Sequence, residues 1–244
     1  MGELIAVLSG KGGTGKTSVC AGIASALAYQ GETVLCIDCD VGLRNLDIAL
    51  GMAESGGLSF LDVCRGDYPL DAAEPHPAFS KMRFLTAPVD CQSSDIDMNA
   101  FSNMLQTARE QFSYVFLDAP AGIEQGFQLA ARFADRILLV TGPDPASVRD
   151  AARASEVLEL MGKRNIRLIV NRINKKIAAA TKTTVDDIMD NAGLPLMGVV
   201  PEDSDVTLAA VYKVPLVLHS HKGASAACCR IARRIQGYPT PIFL

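Results

Sequence analysis

The stretch Ser9-Gly10-Lys11-Gly12-Gly13-Thr14-Gly15-Lys16-Thr17 leaves this chain little freedom in how it folds. An apolar run, Leu4-Ile5-Ala6-Val7-Leu8, leads into it, and Val19-Cys20-Ala21-Gly22-Ile23-Ala24-Ser25-Ala26-Leu27 follows. Strand, glycine loop and helix, in that order, are what a phosphate cradle requires. Gly10, Gly13 and Gly15 let the backbone turn tightly and approach an anion. Free N–H groups of residues 10–17, and of Ser18 at the helix start, then point at the phosphates. Lys16 reaches the β and γ oxygens, and the Thr17 hydroxyl can ligate Mg²⁺. Gly10, Gly15, Lys16 and Thr17 satisfy G-x-x-x-x-G-K-T, so the second lysine, Lys11, is extra to the pattern.

The 244 residues fit one α/β domain, read here as residues 1–237 followed by a short tail, 238–244. Hydrophobic residues make up 49% and charged residues 20%, which supports a large core and excludes a disordered chain. A net charge of −4 argues against binding nucleic acid through bulk charge. Seven cysteines with no secretory leader fit reduced thiols in a cytoplasmic protein. No apolar run approaches the ~20 residues that cross a bilayer.

Beyond the first helix, Thr33-Val34-Leu35-Cys36-Ile37 predicts a buried strand that stops in Asp38-Cys39-Asp40. Ligands in parallel sheets sit at the carboxyl ends of strands, which places both aspartates near the glycine loop. If the extended geometry continues, residues two apart share a side, so one carboxylate serves a metal through water and the other orients a nucleophilic water. Tyr114-Val115-Phe116-Leu117 is another buried strand, and its terminal Asp118 is the metal-side aspartate expected of a phosphate-loop NTPase. Further strands are expected at 82–86, 137–141, 167–170 and 196–200. Helices are expected at 58–64, 95–112, 126–134, from 143, and at 183–191, 206–211 and 223–236. Residues 67–80 read as an irregular connection and 214–218 as a loop or edge strand. Strands alternating with helices imply an α/β fold with a mostly parallel central sheet covered on both faces.

These motifs together resemble one family. Lys11-Gly12-Gly13-Thr14-Gly15-Lys16-Thr17 resembles the deviant Walker A motif of the MinD/ParA ATPases. Cys36-Ile37-Asp38-Cys39-Asp40-Val41-Gly42-Leu43-Arg44-Asn45-Leu46-Asp47 is similar to the MinD form of the next motif, where ParA proteins usually carry Pro-Gln after the second aspartate. Asp118-Ala119-Pro120-Ala121-Gly122-Ile123-Glu124, Ser147-Val148-Arg149-Asp150 and Val200-Pro201-Glu202-Asp203 resemble the same branch. The resemblance implies a slow, partner-stimulated ATPase that uses Mg²⁺ and forms a homodimer with ATP sandwiched between subunits. It implies that Lys11 reaches across the dimer to the partner's phosphates, stabilising charge as an arginine finger does. Lys16 would hold the phosphates of its own subunit. Thr17 would bind Mg²⁺, with Asp38 and Asp118 acting through its waters, and Asp40 would position the attacking water. Asn171 would read adenine, with Pro201, Glu202 and Asp203 flanking the base. The implied role is placement of the division site, with a MinC- or MinE-like regulatory partner.

The tail departs from that pattern. MinD proteins end in an amphipathic helix that binds membrane. Here Gly237-Tyr238-Pro239-Thr240-Pro241-Ile242-Phe243-Leu244 holds two prolines and cannot form one, so the expectation is a cytoplasmic protein, with contact at the inner face of the membrane not predicted by the tail. Helix 223–236 reads as a domain-closing helix packed by Cys228, Ile231 and Ile235. Two related roles compete: a MinD-like flagellar-number regulator and a ParA-type DNA- or cargo-positioning ATPase, the latter disfavoured by the acidic charge and by Val41-Gly42. Cys36 and Cys39 form a lone C-x-x-C, weak evidence for zinc or redox chemistry, and neither Cys91 nor the Cys228-Cys229 pair completes a cluster scaffold. His76, His219 and His221 form no catalytic set.

Overall fold

The computed structural model describes residues 1–41, 43–88 and 96–243. Gly42, Cys91, the proposed helix start at Asp95 and the terminal Leu244 lie outside the described residues.

Among the described residues, eight strands form one sheet in the order β3-β4-β2-β5-β1-β6-β7-β8. They are β1 (Glu3–Leu8), β2 (Val34–Asp38), β3 (Glu74–Pro75), β4 (Met82–Leu85), β5 (Tyr114–Asp118), β6 (Arg136–Thr141), β7 (Ile166–Ile173) and β8 (Leu196–Pro201). Every pairing is parallel except β3 with β4. The order reverses around β1, so the crevice beyond the carboxyl ends of β1, β2 and β5 is where such a sheet takes ligands.

Strand side chains alternate between two cores, although each strand reads as a continuous apolar run. Ile5, Val7, Val34 and Cys36 face one core with α1 (Lys16–Tyr29), α2 (Leu46–Leu50), α9 (Asp205–Val211), α10 (Leu216–His219) and α11 (Gly223–Ile235). Leu4, Ala6, Leu8, Leu35 and Ile37 face the other, with α3 (Phe60–Cys64), α4 (Met98–Gln111), α5 (Gln125–Phe133), α6 (Pro145–Leu160) and α8 (Val185–Ala192). Met104 and Phe101 of α4 are buried in that core. Cys228, Ile231 and Ile235 bury the inner face of α11.

Helix starts follow short polar caps. Asp97 accepts from Asn99 N and Ala100 N, Asp144 accepts from Ser147 N ahead of Pro145, and Thr184 with Asp187 forms a capping box. Gly193 closes α8 in the left-handed conformation.

Three local expectations change, and one helix, over 175–181, is additional to them. Residues 67–80 contain β3, two residues held antiparallel to Phe84 and Arg83, too short for any periodic signal. Helix α7 (Lys175–Thr181) buries no side chain and so has no apolar stripe to read; Asn174 starts it by accepting from Lys176 N and Ile177 N. Residues 216–219 are helical where the sequence suggests a loop or edge strand, because Leu216 and Val217 pack into the α1 core behind Pro215. Strand β7 runs through Asn171 and Arg172 to Ile173 instead of ending before them, with a register irregularity against β8 between Val170 and Ile173.

The tail turns back over α11. Tyr238 lies 5.7 Å from the Arg233 guanidinium and Phe243 lies 5.5 Å from that of Arg230, measured to the ring centroids. Among the described residues, no helix is long and apolar enough to cross a membrane.

Candidate functional site

The glycine loop joins β1 to α1 and is held from behind by three separate elements. Asn171 Nδ2 of β7 donates to Thr14 O at 2.8 Å. Gly122 N, in the loop after β5, donates to Ser9 O at 3.0 Å. The Asp150 carbonyl of α6 comes so close to Gly10 that a Cβ there would lie 2.3 Å from it. Gly15 has φ 83°, and a Cβ on it would lie 2.4 Å from Asn171 Nδ2, so only glycine permits this clamp. At the front the loop is open: a Cβ added at Gly12 or Gly13 would meet no neighbouring atom within 4 Å. A loop braced behind and empty in front fits a cradle for an anion. Thr14 Oγ1 is buried with no hydrogen-bond partner among the described residues, which leaves a hydroxyl beside that cradle unused.

Lys16 opens α1 and is 6% exposed. Its Nζ donates to Asp118 Oδ1 at 2.5 Å and to Thr17 Oγ1 at 3.2 Å. Burial pushes the Asp118 carboxyl up, and the Lys16 ammonium opposes that shift. Asp118 is paired in register with Asp38 on the neighbouring strand. Burial, and then the Asp118 charge, push Asp38 up to about 6. The Asp38 side chain does not simply extend the strand face towards Asp40: Oδ1 accepts from Asp40 N at 2.9 Å and Oδ2 from Leu46 N at 3.1 Å. It therefore turns the chain out of β2 and starts α2. Asp40 is half-buried; burial raises its pKa and Lys16 lowers it.

Three carboxylates thus crowd one ammonium, an imbalance that a divalent cation would relieve. The Thr17 hydroxyl and the Asp38 and Asp118 carboxylates are hard oxygen donors of the type Mg²⁺ takes. Among the described residues no three acidic side chains converge to hold a metal on their own, so phosphate and water would have to supply the rest of its shell.

Lys11 stands apart. It is exposed at the mouth of the loop, and its Nζ lies 3.9 Å from Asp144 Oδ1. Hydrogen bonds from Ser147 Oγ and N hold the Asp144 carboxyl below its usual range.

On the other side of the loop a cavity of about 430 Å³ is walled by Gly15, Ser18, Asn171, Pro201, Glu202 and Asp203. The structure therefore brings Asn171 and the Pro201–Asp203 segment, both expected around a base, against Gly15 and Ser18 of the phosphate loop. Arg172, which the sequence does not single out, also lines it; its left-handed φ of 59° is uncommon for a bulky side chain and marks the irregularity in β7. A polar pair interrupting an apolar strand is the signal that could have found it. The Asn171 clamp, the Asp150 carbonyl and the Lys11–Asp144 approach are not legible in the sequence, since each is a meeting of distant segments. A larger groove, about 1720 Å³, lies between α6, α7 and α8, and no residue of the glycine loop lines it.

The remaining candidates stay structural. Cys36 and Cys39 are buried, and burial pushes both thiols up, away from the reactive thiolate. His76 is buried, with Nε2 against Leu50 O at 2.9 Å and Nδ1 accepting from Ala78 N at 3.0 Å.

Fold and site define a phosphate-loop nucleotide-binding protein with a parallel sheet. Residues 5–216 match the CobQ/CobB/MinD/ParA nucleotide binding domain, and the chain belongs to that family. It is 36% identical to the septum site-determining protein MinD of Bacillus subtilis, over 99% of this chain and 92% of that one. It is similar in structure to MinD in the MinC:MinD cell division complex of Aquifex aeolicus, with TM-score 0.91 and 36% identity over 99% of both chains. The MinD of Pyrococcus horikoshii complexed with Mg-ADP superposes with TM-score 0.83 at 26% identity, over 96% of each chain.

Proposed function

We propose that this chain is a MinD-type, Mg²⁺-dependent ATPase whose ATP-bound homodimer acts as a switch in septum placement. The observation that carries this reading is the contrast within one loop. Lys16 is already committed inside its own subunit, whereas Lys11 stands exposed at the open mouth. A cation so placed can complete a site belonging to a second copy.

In this reading Lys16 exchanges Asp118 for the phosphates of its own nucleotide, and the loop N–H groups of residues 10–18 bind the same oxygens. Mg²⁺, when bound, neutralises charge on the phosphates. Thr17 would hold it directly, with Asp38 and Asp118 orienting its waters. Asp40, the most accessible of the three carboxylates, orients the attacking water. Lys11 supplies positive charge from across the dimer, so the site is complete only when two chains meet. Hydrolysis is then slow in the free chain and serves as a timer of dimer lifetime. Asn171 and the Pro201–Asp203 wall receive the base. Residues 1–237 act as one ATPase unit with 238–244 appended.

A MinC- or MinE-like protein is the partner expected to read the dimer in the cytoplasm, and contact with the inner face of the cell membrane is a separate question for the vesicle test. The MinD relatives and the MinC:MinD neighbour support this over the flagellar or DNA-positioning roles. The deciding experiment is light scattering with Mg-ATP against Mg-ADP, followed by vesicle sedimentation and phosphate release with and without a MinE-like protein. A dimer with ATP alone is expected; a monomer in both nucleotides would sink the switch. Sedimentation with Mg-ATP decides whether the dimer binds lipid at all.

A further inference from the structure

We propose that Asp203 is a positioning residue which hangs the base-side wall of the nucleotide cavity on α11, without reading the base itself. The proposal rests on the reading that this cavity receives adenine. Asp203 follows β8 in the Pro201–Ser204 wall, and both of its carboxylate oxygens are engaged by backbone. Oδ1 accepts from Asp205 N at 3.0 Å, and Oδ2 accepts from Ala224 N, in the first turn of α11, at 2.8 Å. Helix α11 has no cap of its own, because Lys222 precedes it and offers no acceptor. A carboxylate from 21 residues upstream therefore satisfies an N–H that would otherwise be left open, at the end of the helix where negative charge is favoured.

The fit is close. Gly223 has φ 51°, and a Cβ there would lie 2.0 Å from Asp203 Oδ2, so the glycine clears the way for the carboxylate.

Helix α11 is a rigid support for this purpose. It seats on α1 where Cys228 Sγ would meet a Cβ on Gly22 at 2.7 Å, and on β8 where Ile231 would meet one on Gly198 at 2.4 Å. Both contacts need glycine, and both leave the helix little room to shift. Since α1 begins at Lys16, the phosphate loop and the base wall are referred to the same pair of packed helices. Asp203 is the link that transfers that reference to the wall.

The test is calorimetric titration of the full chain with Mg-ATP and, separately, with Mg-tripolyphosphate, which carries the phosphates without the base. The unmodified protein is expected to bind ATP more tightly than tripolyphosphate. Asp203→Ala should lower ATP affinity about tenfold or more, as expected for losing hydrogen bonds to a charged group, and leave tripolyphosphate affinity unchanged. Asp203→Asn, which keeps one acceptor, should fall between the two and serves as the test if the alanine variant does not fold. Equal weakening of both ligands would overturn the proposal, because a general loss of structure does not distinguish them. Unchanged ATP affinity in both variants, with the preference for ATP intact, would overturn it while leaving the base reading standing. An unmodified protein with no preference for ATP would overturn the base reading, and the proposal with it.

Discussion

The two lysines of the glycine loop lie five residues apart and have opposite surroundings. Lys16 is 6% exposed, with a carboxylate 2.5 Å away, whereas the side chain of Lys11 is 44% exposed and its nearest acid among the described residues is 3.9 Å away. The difference follows from position along the chain. Lys16 is the first residue of a helix packed against the sheet, so its side chain must share the interior with Asp118. Lys11 sits before Gly12 and Gly13, where the backbone faces open space. One cation is part of the fold and the other is held in reserve. Exposed ion pairs contribute ~1 kcal/mol or less, so Asp144 does not restrain Lys11 strongly.

Lys16→Ala should break the comparison most severely. It strands the buried Asp118 carboxylate, a change that costs about 3–5 kcal/mol when a buried pair loses one member. Calorimetry should show ATP affinity reduced by roughly a hundredfold or more, and thermal melts a lower midpoint. A variant that binds ATP normally would mean that the buried lysine is structural only.

Lys11→Ala tests the other end. Melting and ATP affinity should be nearly unchanged, because nothing buried is lost. Hydrolysis should fall by about a thousandfold, as when a charge-supplying finger is removed, and light scattering should show no stable ATP dimer. Dimers that turn over normally would refute the cross-subunit role.

Asp40→Ala separates assembly from chemistry. The ATP dimer should persist by chromatography while phosphate release falls by about a hundredfold, in the usual range for losing a general base. A monomer with ATP bound would count against this assignment.

The smallest effect is expected away from the loop and serves as the control. The two hydrogen bonds of His76 define a neutral ring, protonated on Nε2 and accepting on Nδ1. Burial lowers its pKa below the ordinary value, with the Leu50 hydrogen bond opposing. Since the folded pKa lies below the unfolded one, its contribution is present above the unfolded value of ~6.5 and is lost as pH falls through the folded pKa. Denaturant titrations should show stability falling from pH ~6.5 downwards in the unmodified protein, and a shallower fall in His76→Gln. Equal pH slopes would remove the histidine from the account.

Much of this architecture is readable from residue order. Helix α4 is legible because Phe101, Met104, Leu105 and Ala108 recur at helical spacing, and α8 because Thr184 and Gly193 mark its ends. Helix α7 is not, since it buries nothing, and α10 is not, since its four residues carry no period. At the site, Gly15, Lys16 and Thr17 announce themselves through spacing alone. Asn171 reads only as a polar residue near a strand end; that its amide holds the Thr14 carbonyl depends on β7 lying two strands from β1. Asp203 is expected beside a base and proves to be bound to α11.

What the sequence determined by itself was the local grammar: a strand, a loop that glycine alone can form, a helix, and acids ending two further strands. These are short-range consequences of backbone sterics and side-chain period, and they suffice to specify a phosphate site. Tertiary structure decided which charges are spent and which are free. Lys11 and Lys16 are the same residue type in the same loop, and only packing, by removing water from one and leaving it around the other, makes them different.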